Sequence, residues 1–161
     1  MRRKSPPKSQ RQLGHPAASR AQELSFGVLR AAAVIRRAVE RALTGSGLSG
    51  AQYQVLRVLQ LAGADGLPTL AVRDRLVDAA PGVTRLLERL ARTGLVVRER
   101  TARDQRQVIC RLTAAGRAAL TSVEPGVHAA VERAGARLTG AEQRACIRLL
   151  DTLRRGASDP G

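Results

Sequence analysis

The apolar residues of this chain recur at intervals of three and four up to Leu90, switch to extended runs, and then return to helical spacing. Val83, Leu86, Leu87 and Leu90 form the last helical set before the switch, leaving Thr84, Arg85, Glu88, Arg89 and Arg92 on the other sides. Gly94 stops that helix. Leu95 to Val97 then make one β-rich run and Val108 to Leu112 a second, with the polar stretch Thr101 to Gln107 between them. Two such runs read as a hairpin, and a lone hairpin is marginal in water, so it must lie against the helices. The switch predicts a mostly helical fold with a small β-hairpin.

The flanking segments read as helices. Leu24, Val28, Ala31, Ile35, Val39 and Ala42 form an amphipathic stripe that Gly45 and Gly47 end. Ser49 and Gln52 form a capping box for a helix carrying Val55, Leu56, Leu59 and Ala62 on one face, with its exit at Gly63 and Gly66. Pro68 and Thr69 are expected to start a short helix with Val72 and Leu76 inward, and Asp78 to Gly82 to turn the chain into the next one. Thr113 is expected to cap a helix from Ala114, which Pro125 should kink or restart. Thr139 and Glu142 form another capping box, followed by Ala145, Cys146, Leu149, Leu150 and Leu153 on one side. Residues 1–20 hold six basic residues, three prolines and no acid, and are expected to be a disordered basic arm. The divisions are then this arm, an N-terminal helix (21–44), a central domain (48–113), C-terminal helices (114–155) and a disordered tail (156–161).

A chain of 161 residues allows one domain with a real core plus extensions. Phe26 and Tyr53 are its only large rings, so that core is built from Leu, Val, Ile and Ala, which suits packed helices. The net charge of +15 is carried almost wholly by arginine, since only Lys4 and Lys8 are lysine. A GC-rich coding bias accounts for part of the arginine-to-lysine ratio but not for the shortage of acids. Arginine's planar donor fork matches phosphates and the guanine edge, so the balance favours a polyanion, nucleic acid first. Cys110 and Cys146 are isolated, which fits a reduced cytoplasmic chain, and at both positions a small buried hydrophobe is the expected role in preference to a redox one. His15 and His128 build no metal constellation, no cofactor is expected, and no apolar run approaches a membrane span. A Gly-rich phosphate loop, a nucleophile elbow and a convincing carboxylate pair are all missing, which argues against an enzyme.

Three short helices followed by a hairpin is the order of a winged helix-turn-helix, in which one helix enters the major groove and a basic hairpin reaches the neighbouring backbone or minor groove. From Arg92 to Arg117 the chain carries Arg92, Arg98, Arg100, Arg103, Arg106, Arg111 and Arg117 against Glu99 and Asp104. The ordered set Val83-Thr84-Arg85-Leu86-Leu87-Glu88-Arg89-Leu90, Gly94-Leu95-Val96, Arg98, Asp104-Gln105-Arg106 and Leu112-Thr113-Ala114-Ala115-Gly116-Arg117 resembles the recognition helix, wing and exit of the multiple-antibiotic-resistance regulator (MarR) family. The resemblance covers Ser49 to Arg117 closely and the flanking helices in placement.

That resemblance implies a homodimeric transcription regulator, most simply a repressor, whose terminal helices interlock and hold two winged domains over a palindromic operator in double-stranded DNA. It implies Thr84 and Arg85 in the major groove, Arg89 nearer the phosphates, Arg98 in the DNA-binding set, Arg103 at the minor groove, Arg106 on the backbone, and Asp104 pairing with an arginine to shape the wing. It also implies a response to a small lipophilic or phenolic effector. The chain departs from the family at Ala79-Ala80-Pro81-Gly82, where Ser or Thr often stands, so base readout rests on few side chains. Two other readings fit the residues: a non-specific architectural DNA-binding protein, suggested by the charge and the arm, and a winged-helix protein-interaction module.

Overall fold

The computed structural model describes residues 19–76, 82–100 and 107–156. Its elements in chain order are helix α1 (Arg20–Ala42), α2 (Gly50–Ala62), a 3-10 turn (Gly63–Asp65), strand β1 (Leu67–Pro68), α3 (Thr69–Arg75), α4 (Val83–Arg92), β2 (Val96–Arg100), β3 (Val108–Leu112), α5 (Ala114–Gly135) and α6 (Gly140–Gly156). The chain divides into two compact units between Arg37 and Ala38. In the first, α1 opens on a capping box: the Ser19 amide donates to Gln22 Oε1 (2.9 Å) and the Gln22 amide to Ser19 Oγ (3.3 Å).

The second unit is built on one apolar cluster. Val55, Leu56 and Leu59 of α2, Val72 of α3, Val83, Leu87 and Leu90 of α4, Val96 and Cys110 of the sheet, and Leu120, Val123 and Val127 of α5 are buried together. The inward sets of α2 and α4 are those their periodicity predicts. Among the described residues no polar or charged side chain is fully buried. Glu40, near the end of α1, joins that end to the start of α2, its carboxylate accepting the Gly50 amide at 3.1 Å. A negative charge is favourable at that helix N-terminus.

The sheet is antiparallel, in the order β1-β3-β2. The hairpin pairs Val96 with Leu112, Arg98 with Cys110 and Arg100 with Val108. Helix α3 starts where expected, at Thr69 with Pro68 as its N-cap; not anticipated is that Leu67 and Pro68 also pair with Cys110 and Ile109 as a short strand. Proline lacks an amide to donate, and an edge strand is where a sheet tolerates it.

Helix α4 ends in a Schellman motif. Gly94, at φ +73°, turns the chain so that its amide reaches the Ala91 carbonyl (3.0 Å) and the Leu95 amide reaches the Leu90 carbonyl (3.0 Å). The Leu95 carbonyl then receives the Thr113 amide (3.2 Å), the Thr113 hydroxyl donates to the Gly94 carbonyl (2.7 Å) with the Leu95 oxygen a longer alternative (3.1 Å), and Thr113 Oγ1 caps α5 by accepting the Gly116 amide at 2.9 Å. Gly116 is buried against this carbonyl; a Cβ there would collide with the Leu95 oxygen and lie 2.7 Å from Leu112 Cδ1.

Helix α5 is continuous through Pro125, so of the two expected outcomes, a kink or a restart, the restart does not occur. Leu120, Val123, Val127 and Ala130 hold one face on the core from both sides of the proline, whereas Pro125 itself is exposed. Packing of the opposite face outweighs the hydrogen bond lost with the proline amide. Neither α1 nor α6 has a buried residue; Leu29 is 64% exposed on α1 and Leu149 70% on α6. Cys146 is exposed as well, contrary to the buried role expected for it, whereas Cys110 is buried as expected.

Gly116→Ala is expected to lower the free energy of unfolding by about 1–3 kcal/mol, the usual cost of forcing an atom into a packed site. Gly126→Ala, whose Cβ would meet only the Ala42 carbonyl at 3.8 Å, is expected to raise it by roughly 0.5–1 kcal/mol through helix propensity. Urea unfolding of the two variants checks both signs.

Candidate nucleic-acid interface

Helix α4 buries Val83, Leu87 and Leu90, and this fixes which way the rest of it points. Thr84, Arg85, Glu88, Arg89 and Arg92 are exposed on the opposite side. Arg85, Arg89 and Arg92 form no ion pair among the described residues, so their donor forks face solvent. The helix opens at Gly82 without a side-chain cap. Its length and one-sided charge suit the width of a DNA major groove.

Arg98 is placed differently from Thr84, Arg85 and Arg89. The register of β2 puts it on the same face as the buried Val96 and opposite the buried Cys110. Its side chain is 22% exposed, and Nη1 lies 3.4 Å from Glu88 Oε1 on α4. The Nε is closed off from water and has no hydrogen-bond partner among the described residues. Thr84 and Arg98 also line an open cleft of about 630 Å³ with Thr69 and Asp74. Arg103, Asp104 and Arg106 lie outside the described residues; of the expected site residues Thr84, Arg85, Arg89 and Arg98 lie within them, the first three on the exposed side of α4.

Other arginines near the hairpin hold structure together. Arg111 Nη1 pairs with Glu99 across the strands at 2.5 Å, and its Nε donates to the Ala64 carbonyl at 3.1 Å, tying β3 to the 3-10 turn. Arg117 Nη1 donates to the Leu112 carbonyl at 3.0 Å. Both belong to the basic run from Arg92 to Arg117, where composition alone does not separate a structural arginine from a free one. Opposite parity with Arg98 on a two-residue repeat was the available signal for Glu99, but the cross-strand partner depends on register.

A second concave surface lies between α2 and α5. Tyr53, Arg57, Glu124, Val127, His128 and Val131 line a cleft of about 530 Å³, and Arg57 pairs with Glu124 across it at 2.7 Å. Partial burial holds the Tyr53 phenol above its ordinary pKa, with Arg57 opposing that rise and Glu124 adding to it. Among the described residues no cluster of His, Cys, Asp or Glu is arranged to hold a metal ion, and no helix is long and apolar enough to cross a membrane.

No family model matches the chain. It is 32% identical over 130 residues to the HTH-type transcriptional repressor Rv2887 of Mycobacterium tuberculosis, spanning 81% of this chain and 92% of that protein. The MarR transcription factor of Planctomyces limnophilus is 33% identical, with 85% and 99% of the two chains covered and a TM-score of 0.63. The chain belongs to the MarR family. As a MarR-family protein it is a DNA-binding transcription regulator and not an enzyme, on a mostly helical winged helix-turn-helix fold. A further relative by structure is BpsR of Bordetella bronchiseptica, whose DNA binding is regulated by 6-hydroxynicotinic acid; it is 26% identical, with 85% and 99% of the chains covered and a TM-score of 0.72.

Tyr53 is the chain's single tyrosine, so its ionisation can be followed alone. Tyrosinate absorbance is expected to rise at a pH above that of a free phenol, and still higher in Arg57→Ala, because that variant loses the cation that favours the phenolate. Glu124→Ala is expected to move the titration the other way.

Proposed function

We propose that this MarR-family regulator is a homodimeric repressor that binds a palindromic operator through α4 and the wing and leaves it when a small lipophilic or phenolic ligand binds. The observation that carries the reading is the exposed arginine face of α4, fixed outward by the burial of Val83, Leu87 and Leu90. In this reading Thr84 and Arg85 meet base edges, Arg89 the phosphates, Arg103 the minor groove and Arg106 the backbone, with Asp104 pairing an arginine of the wing. The unburied apolar sides of α1 and α6 support a second copy as partner, with residues 21–44 and 114–155 as dimerisation segments and 48–113 as the DNA-binding domain. Repression is supported by the relative Rv2887 and ligand control by BpsR. The cleft between α2 and α5 is the proposed effector site, its Tyr53 hydroxyl and Arg57 fork supplying the polar anchors over apolar Val127 and Val131.

The experiment is titration of the protein against duplex DNA from upstream of its own coding sequence, with a shuffled competitor, at two salt concentrations. The expected result is two chains on one palindrome, preferred over shuffled DNA by about 1,000-fold or more. Equal, strongly salt-dependent binding to both would favour an architectural DNA binder. Binding to neither, and to no duplex from a random pool, would favour a protein-interaction module.

Arg85→Ala is expected to cost about 1–3 kcal/mol on the operator and to narrow its margin over shuffled DNA. Arg103→Ala is expected to weaken both complexes together and to reduce the salt slope by about 1. Unchanged titrations for both variants would show that the DNA face lies elsewhere.

A further inference from the structure

We infer that Arg98 promotes DNA binding from behind the interface, by neutralising Glu88, and does not itself contact DNA. The inference rests on the reading that α4 faces the groove. Glu88 is the single acid of α4 and stands in the middle of its polar side, one turn from Thr84 and Arg92 and three residues from Arg85. An unpaired carboxylate there would face the phosphates and would draw Arg85 or Arg92 away from them.

The geometry gives Glu88 a partner that is not available for DNA. Arg98 stands on the core-facing side of β2, with its side chain 22% exposed and Nη1 3.4 Å from Glu88 Oε1, an ion pair at longer than hydrogen-bond contact. Its Nε is shut off from water. A guanidinium held in this way cannot extend to a phosphate without leaving both Glu88 and the core face of the strand. The partial enclosure also means that salt screens the pair less than it screens an exposed one. Because Arg98 is on the wing strand and Glu88 on the helix, the pair also fixes the distance between the two elements proposed to grip DNA.

A direct contact and a masking role differ in how Glu88 and Arg98 combine. The test uses full-length protein and a duplex enriched by the wild type from a random-sequence pool, with a shuffled duplex alongside. Arg98→Met keeps the aliphatic stem and removes the charge. Masking predicts that Arg98→Met weakens binding by about tenfold, that Glu88→Gln alone changes it less than about threefold, and that Glu88→Gln in the Arg98→Met background restores it to within about threefold of wild type. The salt slope of the double variant is expected to equal that of the wild type.

If Glu88→Gln raises affinity by the same factor in both backgrounds, or if Arg98→Met lowers the salt slope by about 0.9, the loss of one phosphate contact, with no rescue, Arg98 is a direct ligand and the inference is overturned. Arg98→Gln, which keeps a polar group at the enclosed position, carries the same comparison if Arg98→Met loses its fold. Arg85→Ala in the same titrations separates the premise from the inference. Loss of discrimination in Arg85→Ala without rescue in the double variant overturns only the masking role, whereas a wild-type titration for Arg85→Ala overturns the placement of α4 and the inference with it.

Discussion

One carbonyl, that of Leu95, is where the pieces of this domain are joined. The left-handed turn at Gly94 brings Leu95 back over the end of α4, and its oxygen then receives the amide of Thr113, whose hydroxyl donates to the Gly94 carbonyl beside it at 2.7 Å. The end of the proposed recognition helix, the first residue before β2, the end of β3 and the first turn of α5 therefore meet at one point, the Leu95 carbonyl with that of Gly94 beside it. Gly116 stands where any side chain would push α5 off it. The run Leu112-Thr113-Ala114-Ala115-Gly116-Arg117 is thus explained by packing and capping, with Arg117 closing the motif on the Leu112 carbonyl. None of these residues needs to touch DNA for the motif to matter, because it sets the angle at which α4 and the wing leave the core.

The net charge of +15 does not translate into as many contacts with a polyanion. Arg111, Arg57 and Arg98 are each engaged with an acid, Glu99, Glu124 and Glu88 respectively. The Arg111 and Arg57 pairs are the more exposed and contribute little to stability singly, but Arg111 also holds the Ala64 carbonyl and so positions the turn that leads into β1. Other arginines are exposed along the chain, Arg30, Arg100, Arg133 and Arg144 among them, but Arg85, Arg89 and Arg92 share one rigid helix face, and such concentration, more than the total charge, is what a proposed reading surface needs to differ from a merely sticky one.

Much of the fold was legible because it is written in local signals. The capping boxes at Ser49 and Thr139, the stop at Gly94, the cap at Thr113 and the inward sets of α2 and α4 each depend on residues within one or two turns of one another. Failures came where a long-range term decides. Strand β1 is two residues long and exists only because β3 lies beside it, so no periodicity announces it. Pro125 breaks a helix by local rules, yet the apolar contacts on the far face of α5 override them. The box at Ser19 and Gln22 was present in the sequence but hidden by the basic segment before it. Thr84, Arg85 and Arg89 could be placed on one face from spacing alone, whereas the core-facing side taken by Arg98 depends on the hairpin register, which the sequence leaves open.

The same connections give the proposed ligand response a physical route. Within the second unit Glu40 binds the last turn of α1 to the first amide of α2, and Thr113 binds the start of α5 to the end of the hairpin, so both ends of the proposed DNA-binding domain are closed by hydrogen-bonded helix ends. In the proposed dimer the spacing of the two α4 helices follows from how α2 and α5 sit against each other. Tyr53, Arg57, Glu124 and His128 line the cleft between those two helices. A ligand that wedges into this cleft and breaks the Arg57–Glu124 pair would act on the one interface whose angle both recognition helices inherit. A two-fold operator tolerates little change in that angle, because its half-sites are fixed about one DNA turn apart.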